Sequence, residues 1–218
     1  MRINRYVALA TGLGRRKVDK LIIDSRITVD GQMATTGQDI SDNQKVSLDN
    51  KLLKVPELSL LVMLNKPVGF VVSRDGQGAP TIYELLPKEY SKLKPIGRLD
   101  KDSSGLLLLS NDGALIQELS HPSNNKKKIY SLRLDRVLSL ADKTVIEHGI
   151  KLEDGISKLA LDKAESKDIT VTMTEGRNRQ IRRTFQKLNY KVINLNRISF
   201  GEYMLSNLKS GEYKEVSS

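Results

Sequence analysis

Four consecutive leucines, Leu106 to Leu109, follow a polar turn bracketed by Gly97 and Gly105 and run out into Asn111-Asp112-Gly113. A short uncharged run closed by turn residues reads as a buried strand, and a chain holding one must build a core around it. The turn ahead of it carries Asp100, and glycines at both ends let the backbone bend closely around whatever sits there. A carboxylate fixed to a rigid strand at the edge of a core is well placed for chemistry. A solvated turn aspartate has the same local sequence, so the rest of the chain must decide.

With 218 residues there is room for one good core and a smaller module. The longest apolar runs, Leu60 to Leu64 and Leu106 to Leu109, are far too short to cross a bilayer. The N-terminus, MRINRYVALATG, has charges where a secretory signal needs an apolar centre, so a cytoplasmic protein without a membrane partner is expected. The absence of cysteine excludes disulfides, thiol catalysis and thiolate metal sites. There are 36 basic against 26 acidic residues, a net charge of +10. That excess favours a polyanionic partner, since neutralising phosphates releases counterions. No amphipathic helix has the lysine-flanked apolar face that an anionic membrane would select, so nucleic acid is the better match.

Residues 1 to 55 read as a separate module. Apolar residues at helical spacing flank Gly12-Leu13-Gly14, and two short strand-like pieces follow, Ile27 to Val29 and Lys45 to Leu48. So small a unit is expected to lean on a neighbour. Its first 20 residues hold Arg2, Arg5, Arg15, Arg16, Lys17 and Lys20 against Asp19 alone, which is a solvated helix face or a grip on phosphate. Lys51 to Leu58 reads as a linker. Beyond it, strands are expected at Leu60 to Leu64, Phe70 to Val72, Leu106 to Leu109, Ile129 to Leu134, Ile169 to Met173 and Lys191 to Leu195. Helices are expected at Thr81 to Leu86, Ala114 to Leu119, Leu140 to His148 and Arg179 to Leu188. Dominant, irregularly spaced strands argue for an α+β fold with a mixed, mostly antiparallel sheet flanked by helices.

Two basic motifs stand out. Glu175-Gly176-Arg177-Asn178-Arg179-Gln180-Ile181-Arg182-Arg183 follows a strand and opens a helix, so its arginines gather where backbone N–H groups already favour anions. Arg182 and Arg183 leave the helix on adjacent sides, one free to face phosphate and the other a buried carboxylate; a solvated basic helix is the plainer alternative. Lys126-Lys127-Lys128-Ile129-Tyr130 enters a strand, where Lys128 and Tyr130 share a face and the tyrosine can stack on a base. Asp100 and Asp102 would suit a magnesium-dependent nuclease only with further carboxylates nearby, and the nearest in sequence are Asp112 and Glu118. His121 and His148 lack any metal spacing or triad partner and are expected to be structural. Gly76-Gln77-Gly78 lacks the third glycine of a dinucleotide fingerprint.

Taken together, these stretches resemble the pseudouridine synthases, specifically the ribosomal-RNA branch of small-subunit type whose members begin with a small RNA-binding domain. GRLDKDSSGLLLLSNDG (97–113) is similar to the family signature, supported by MLNKPVGFVVS (63–73), KKIY (127–130) and EGRNRQIRRTF (175–185). The N-terminal stretch through Gly31-Gln32 resembles the alpha-L RNA-binding motif. The resemblance implies an alpha-L domain at 1–55 and a synthase domain at 56–218. The activity it implies is isomerisation of a uridine in ribosomal RNA, or in a precursor ribosomal particle, without cofactor or metal, by a monomer. It makes Asp100 the essential aspartate, Tyr130 the active-site tyrosine and Arg182 the basic residue paired with the aspartate. Arg98 and Lys128 match flanking positive residues near the RNA, with Arg177, Arg179, Gln180, Arg2, Arg15, Arg16 and Lys17 as further RNA contacts. Arg179 stands where the family pattern has histidine, and Thr184 where it has methionine. A non-catalytic RNA-binding or ribosome-assembly factor on the same fold is the rival reading.

Overall fold

A computed structural model describes residues 1–41, 43–54 and 59–216. The first unit is formed by helices α1 (Ile3–Thr11) and α2 (Arg15–Ile23) and by strands β1 (Ile27–Val29), β2 (Gln32–Met33), β3 (Val46–Leu48) and β4 (Lys51–Leu52). The strands pair antiparallel in the order β2-β1-β3-β4. Ile3, Val7, Val18, Leu21 and Ile22 from the helices meet Ile27, Val29 and Val46 from the sheet in one core. The unit therefore buries its own apolar face, and leans on its neighbour lightly. Lys94 Nζ donates to the Leu13 carbonyl at 3.2 Å, and Gly12 packs against Lys92. Lys51 and Leu52, expected in a linker, instead pair with β3. Residues 55–58 of that linker, and with them the expected boundary between 55 and 56, lie outside the described residues.

The second unit runs through β5 (Leu61–Lys66), β6 (Lys94–Ile96), β7 (Ser104–Ser110), α3 (Gly113–Ser120), β8 (Lys128–Leu134), α4 (Leu140–His148), β9 (Ile150–Leu152), β10 (Gly155–Ser157), β11 (Ala160–Leu161), β12 (Asp168–Met173), α5 (Gln180–Gln186), β13 (Val192–Phe200), β14 (Tyr203–Met204) and β15 (Tyr213–Val216). Its main sheet has the order β11-β12-β8-β13-β7-β5-β15, with β14 added to β13 and β6 to β7. Only the β13–β7 pairing is parallel, so the sheet is mixed and mostly antiparallel, as expected.

Strand β7 explains why four leucines stand in a row. Leu107 and Leu109 point into the large core with Val62, Leu64, Leu132 and Phe185. Leu106 and Leu108 point the other way, into a second core with Ile96, Leu119 and Phe200. A strand buried on both faces has no need of polar alternation, and each leucine contributes about 1.5–3 kcal/mol of burial. Asp112 then caps α3, its carboxylate accepting from the N–H groups of Ala114 and Leu115.

Some expected elements differ. Phe70 to Val72 makes only an isolated bridge, Val71 to Thr81. The helix expected over Thr81 to Leu86 is a single 3-10 turn, Ile82–Leu85: a Thr81–Glu84 capping box starts it, and Leu86, extended ahead of Pro87, ends it. The strand expected at Lys191 to Leu195 continues to Phe200 because its second half is paired on both sides, with β8 and β7.

Candidate active site

The sheet brings Asp100, Tyr130, Lys128 and the 174–180 loop to one cavity of about 630 Å³, a size suited to a nucleotide-sized ligand. Asp100 hangs in the turn between β6 and β7, its carbonyl accepting from Ser103 N–H at 3.1 Å. Tyr130, on β8, is buried and sits opposite Val171 on one side and Arg197 on the other. Arg98, Arg177 and Arg179 also line this cavity.

The turn is anchored by a close strand approach. Gly105 has φ +105°, and a Cβ there would lie 2.3 Å from the Arg197 carbonyl oxygen and 2.6 Å from its nitrogen. Only glycine lets β7 and β13 run parallel at this spacing, so Gly105 sets where Asp100 emerges.

The arginine pairing differs from the expected one. Arg179, the N-cap of α5 with φ 46°, is the residue beside Asp100, with its Nη1 3.8 Å from Oδ2. The same guanidinium is held bidentate by Asp102, at 2.9 and 3.0 Å. Arg182 does not pair with Asp100. Its Nε lies 3.3 Å from Asp102 Oδ2, its Nη2 donates to the Asp102 carbonyl at 2.8 Å, and its Nη1 donates to the Val192 carbonyl at 2.8 Å. The reason is axial: Arg182 leaves the helix almost a full turn beyond Arg179 and reaches the base of the turn, not its tip. Arg183 takes Asp154 at 2.7 Å, so neither adjacent arginine is left unpaired for phosphate. Burial pushes the Asp102 carboxyl up, but the hydrogen bond from Arg179 and the charges of Arg182 and Arg179 outweigh it and hold it below the usual range. Asp102 is thus the clamp that ties the α5 arginines to the Asp100 turn.

The remaining expected residues divide by location. Arg98 is exposed at the cavity rim. Lys128 Nζ donates to the Thr174 carbonyl at 3.0 Å and lies 5.2 Å from the centre of the Phe200 ring. Arg177 is tied to Asp154 and to the Ile156 carbonyl. Gln180 is buried, donating to Ser157 Oγ and Glu175 and accepting from Arg177 N–H, so it shapes the loop and does not face solvent. In the first unit Arg2 is engaged by Asp39 and by the Gly37 carbonyl. Arg15, Arg16 and Lys17 are exposed and make no ion pair among the described residues. Also among the described residues, no cluster of three or more histidines, cysteines or carboxylates could hold a metal ion, and no helix is long and apolar enough to cross a membrane.

The chain as a whole is similar to known proteins. Residues 60–187 match the family model described as RNA pseudouridylate synthase. That span holds the Asp100 turn, the Tyr130 strand and the arginine helix. The chain belongs to this family. It is 32% identical over 226 residues to the ribosomal large subunit pseudouridine synthase B of Bacillus subtilis, covering 99% of this chain and 92% of that one. It is 30% identical over 223 residues to the ribosomal small subunit pseudouridine synthase A of Haemophilus influenzae, covering 100% and 96%. A solved structure described as a pseudouridylate synthase superposes with a TM-score of 0.72 at 30% identity, covering 100% of this chain and 96% of that one.

Two buried cations went unread in the sequence, Arg197 lining the cavity and Lys66 near Asp100 behind it. Lys66 and Arg197 are among the largest fully buried side chains of the protein. Burial pushes the Lys66 ammonium down to about 8, opposed by Asp100 and Asp102 and reinforced by Arg197. A lysine closing the apolar run Leu60 to Leu64 was the available signal for the first. Arg197, between Asn196 and Ile198, gave none.

Proposed function

We propose that this synthase isomerises a specific uridine of ribosomal RNA to pseudouridine, with Asp100 as the reacting group. The observation that carries the reading is a half-buried carboxylate and a buried tyrosine lining one cavity whose remaining charged lining is mostly cationic. Relatives of similar length carry names for both ribosomal subunits, which supports ribosomal RNA as the substrate class and leaves the subunit open.

The target nucleotide must leave its stack to reach Asp100, at a cost of a few kcal/mol. Two routes lead onward. In one, the carboxylate attacks the anomeric carbon; in the other, it removes the 2′ proton and a glycal forms. Both need Asp100 ionised, and the Arg179 guanidinium lies beside it, 3.8 Å from Oδ2. Tyr130 stacks on the uracil and assists removal of the proton from ring carbon five. Arg182 acts as a positioning residue, bracing the turn through Asp102. Arg98, Lys128, Arg177 and Arg179 hold the RNA near the cavity, and Gln180 supports that loop from below.

Residues 1–55 act as an RNA-binding module of alpha-L type. Arg15, Arg16 and Lys17 occupy the first turn of α2, where the helix dipole disfavours cations and no acidic residue balances them. Such an arrangement weakens the helix, and a polyanion repays that cost.

The test uses ribosomal RNA carrying tritium at uracil ring carbon five, with chelator present. Release of tritium by the wild type, lost in Asp100→Asn while RNA binding persists, is the expected result. No release from any ribosomal RNA or precursor particle overturns the reading. RNA shortening without tritium release, seen only when chelator is omitted, would indicate a nuclease instead.

A further inference from the structure

Arg197 is a charged group to which the reaction outlined above assigns no task. It lies on β13 opposite Tyr130, lines the same cavity as Asp100, and is only 2% exposed. Its Nε donates to the Leu106 carbonyl at 2.7 Å, and its guanidinium carbon sits 5.1 Å from the centre of the Phe200 ring. Its Nη2 is buried with no hydrogen-bond partner among the described residues.

That arrangement is costly. A buried donor without an acceptor loses about 1–3 kcal/mol, and more when charged. Arg197 makes no ion pair among the described residues, and the cations Lys66 and Lys128 feel its charge, which disfavours their ammonium groups. A hydrophobic side chain of similar volume would serve packing better. An unpaired cation among cations, on the floor of a cavity, fits a site where negative charge develops only during the reaction.

We propose that Arg197 is a catalytic residue of this synthase that donates from Nη2 to a carbonyl oxygen of the flipped uracil and stabilises the uracil anion released when the glycosidic bond breaks. The inference rests on the proposed function. The C1′–N1 bond breaks and its electron pair stays on the ring, spreading negative charge over N1, O2 and O4. At the sugar, either an Asp100 oxygen bonds to C1′, or Asp100 takes the 2′ proton as the C1′–C2′ double bond forms. The ring turns, C5 bonds to C1′, the C5 proton leaves to a base and N1 takes a proton from solvent; where Asp100 had bonded, its bond to C1′ breaks, and where it took the 2′ proton, that proton returns to C2′. Arg197 neither gains nor loses a proton at any stage. A backbone phosphate is the other anion it could meet. Its depth argues against that, because Arg98 at the rim is the exposed cation that a phosphate reaches first.

The experiment compares two RNA fragments spanning the uridine mapped by tritium release, one with uridine at that position and one with 5-fluorouridine. Fluorine at C5 stabilises the ring anion, so cleavage there depends less on a donor. Wild type, Arg197→Gln and Arg197→Lys are assayed under single-turnover, saturating conditions, following loss of the intact target nucleoside by mass spectrometry. The expected loss for Arg197→Gln is about 10²–10³-fold on uridine and at least about tenfold smaller on 5-fluorouridine, with Arg197→Lys in between and RNA affinity unchanged. The ratio of the two rates within one preparation does not depend on how much of the variant is folded. Equal losses on both RNAs, or a loss confined to affinity, as a phosphate contact would give, overturn the proposal. A wild type inactive on both RNAs would instead sink the functional reading, and the inference with it.

Discussion

Replacing Lys66 by methionine should change how the stability of this protein depends on pH more than how stable it is at pH 7. The ammonium has no exposed surface, and donates to the carbonyls of Pro67 at 2.9 Å and Ser103 at 2.7 Å. Two acceptors match the two N–H bonds of a neutral amine, so the structure satisfies the deprotonated form as well as the charged one. Burial lowers the group from 10.5 to about 8, which disfavours the charged folded state by about 3 kcal/mol. The folded value lies below the unfolded one, so between pH 8 and pH 10.5 the unfolded chain binds more protons and stability rises with pH. The penalty is fully present below pH 8 and is gone above 10.5. Lys66→Met escapes it, but strands two carbonyls at about 1–3 kcal/mol each in the worst case. These effects largely offset at pH 7, and the variant should lie within about 2 kcal/mol of wild type. By pH 10 the wild type has recovered about 2.5 kcal/mol that the variant cannot. Urea unfolding followed by circular dichroism, chosen because the chain has no tryptophan, should show wild-type stability minus variant stability rising by that amount between pH 7 and pH 10. Lys66 is the group removed, so a signed difference that stays flat or falls refutes the reasoning. Asp100 opposes the shift, so in an Asp100→Asn background the rise should begin at lower pH.

Two further outcomes are expected. Gly105→Ala must accommodate a Cβ 2.3 Å from the Arg197 carbonyl oxygen at φ +105°; backbone strain of about 1–3 kcal/mol plus about 1 kcal/mol for each β7–β13 hydrogen bond lost should lower the urea midpoint steeply, and a loss under about 1 kcal/mol would show that the strands part freely. Charge reversal at Arg15 and Arg16 should weaken RNA binding and reduce the slope of log affinity against log salt by about one for each phosphate contact removed, leaving single-turnover chemistry at saturating RNA unchanged; an unaltered slope would mean that α2 does not face the RNA.

The sequence made the carboxylate and the strand behind it legible because both are local facts. A glycine-bracketed turn and a run of four leucines state their conformation within a dozen residues, and β7 forms where that pattern predicts it. Helix α4 falls on Leu140–His148 for the same reason, with Ser139 as its cap. The pairing of charges was not legible, because it depends on where three separate segments meet. Arg179 and Arg182 are three residues apart, so sequence spacing puts them on one face without saying which reaches Asp100 and which reaches Asp102. The αL backbone of Arg179 decides it, turning that side chain across the tip of the turn and leaving Arg182 for its base. Arg197 was hidden for a stronger reason. In sequence it is one polar residue in a strand that alternates irregularly, and its burial follows from a bulge between Arg197 and Ser199 and from β7 pressed against it through a glycine. The residues that bind a charged substrate announce themselves by clustering. The one proposed to wait for charge to form during the reaction stands alone in the sequence, and only the strand order β8-β13-β7 brings it beside Tyr130 and into the cavity that Asp100 lines.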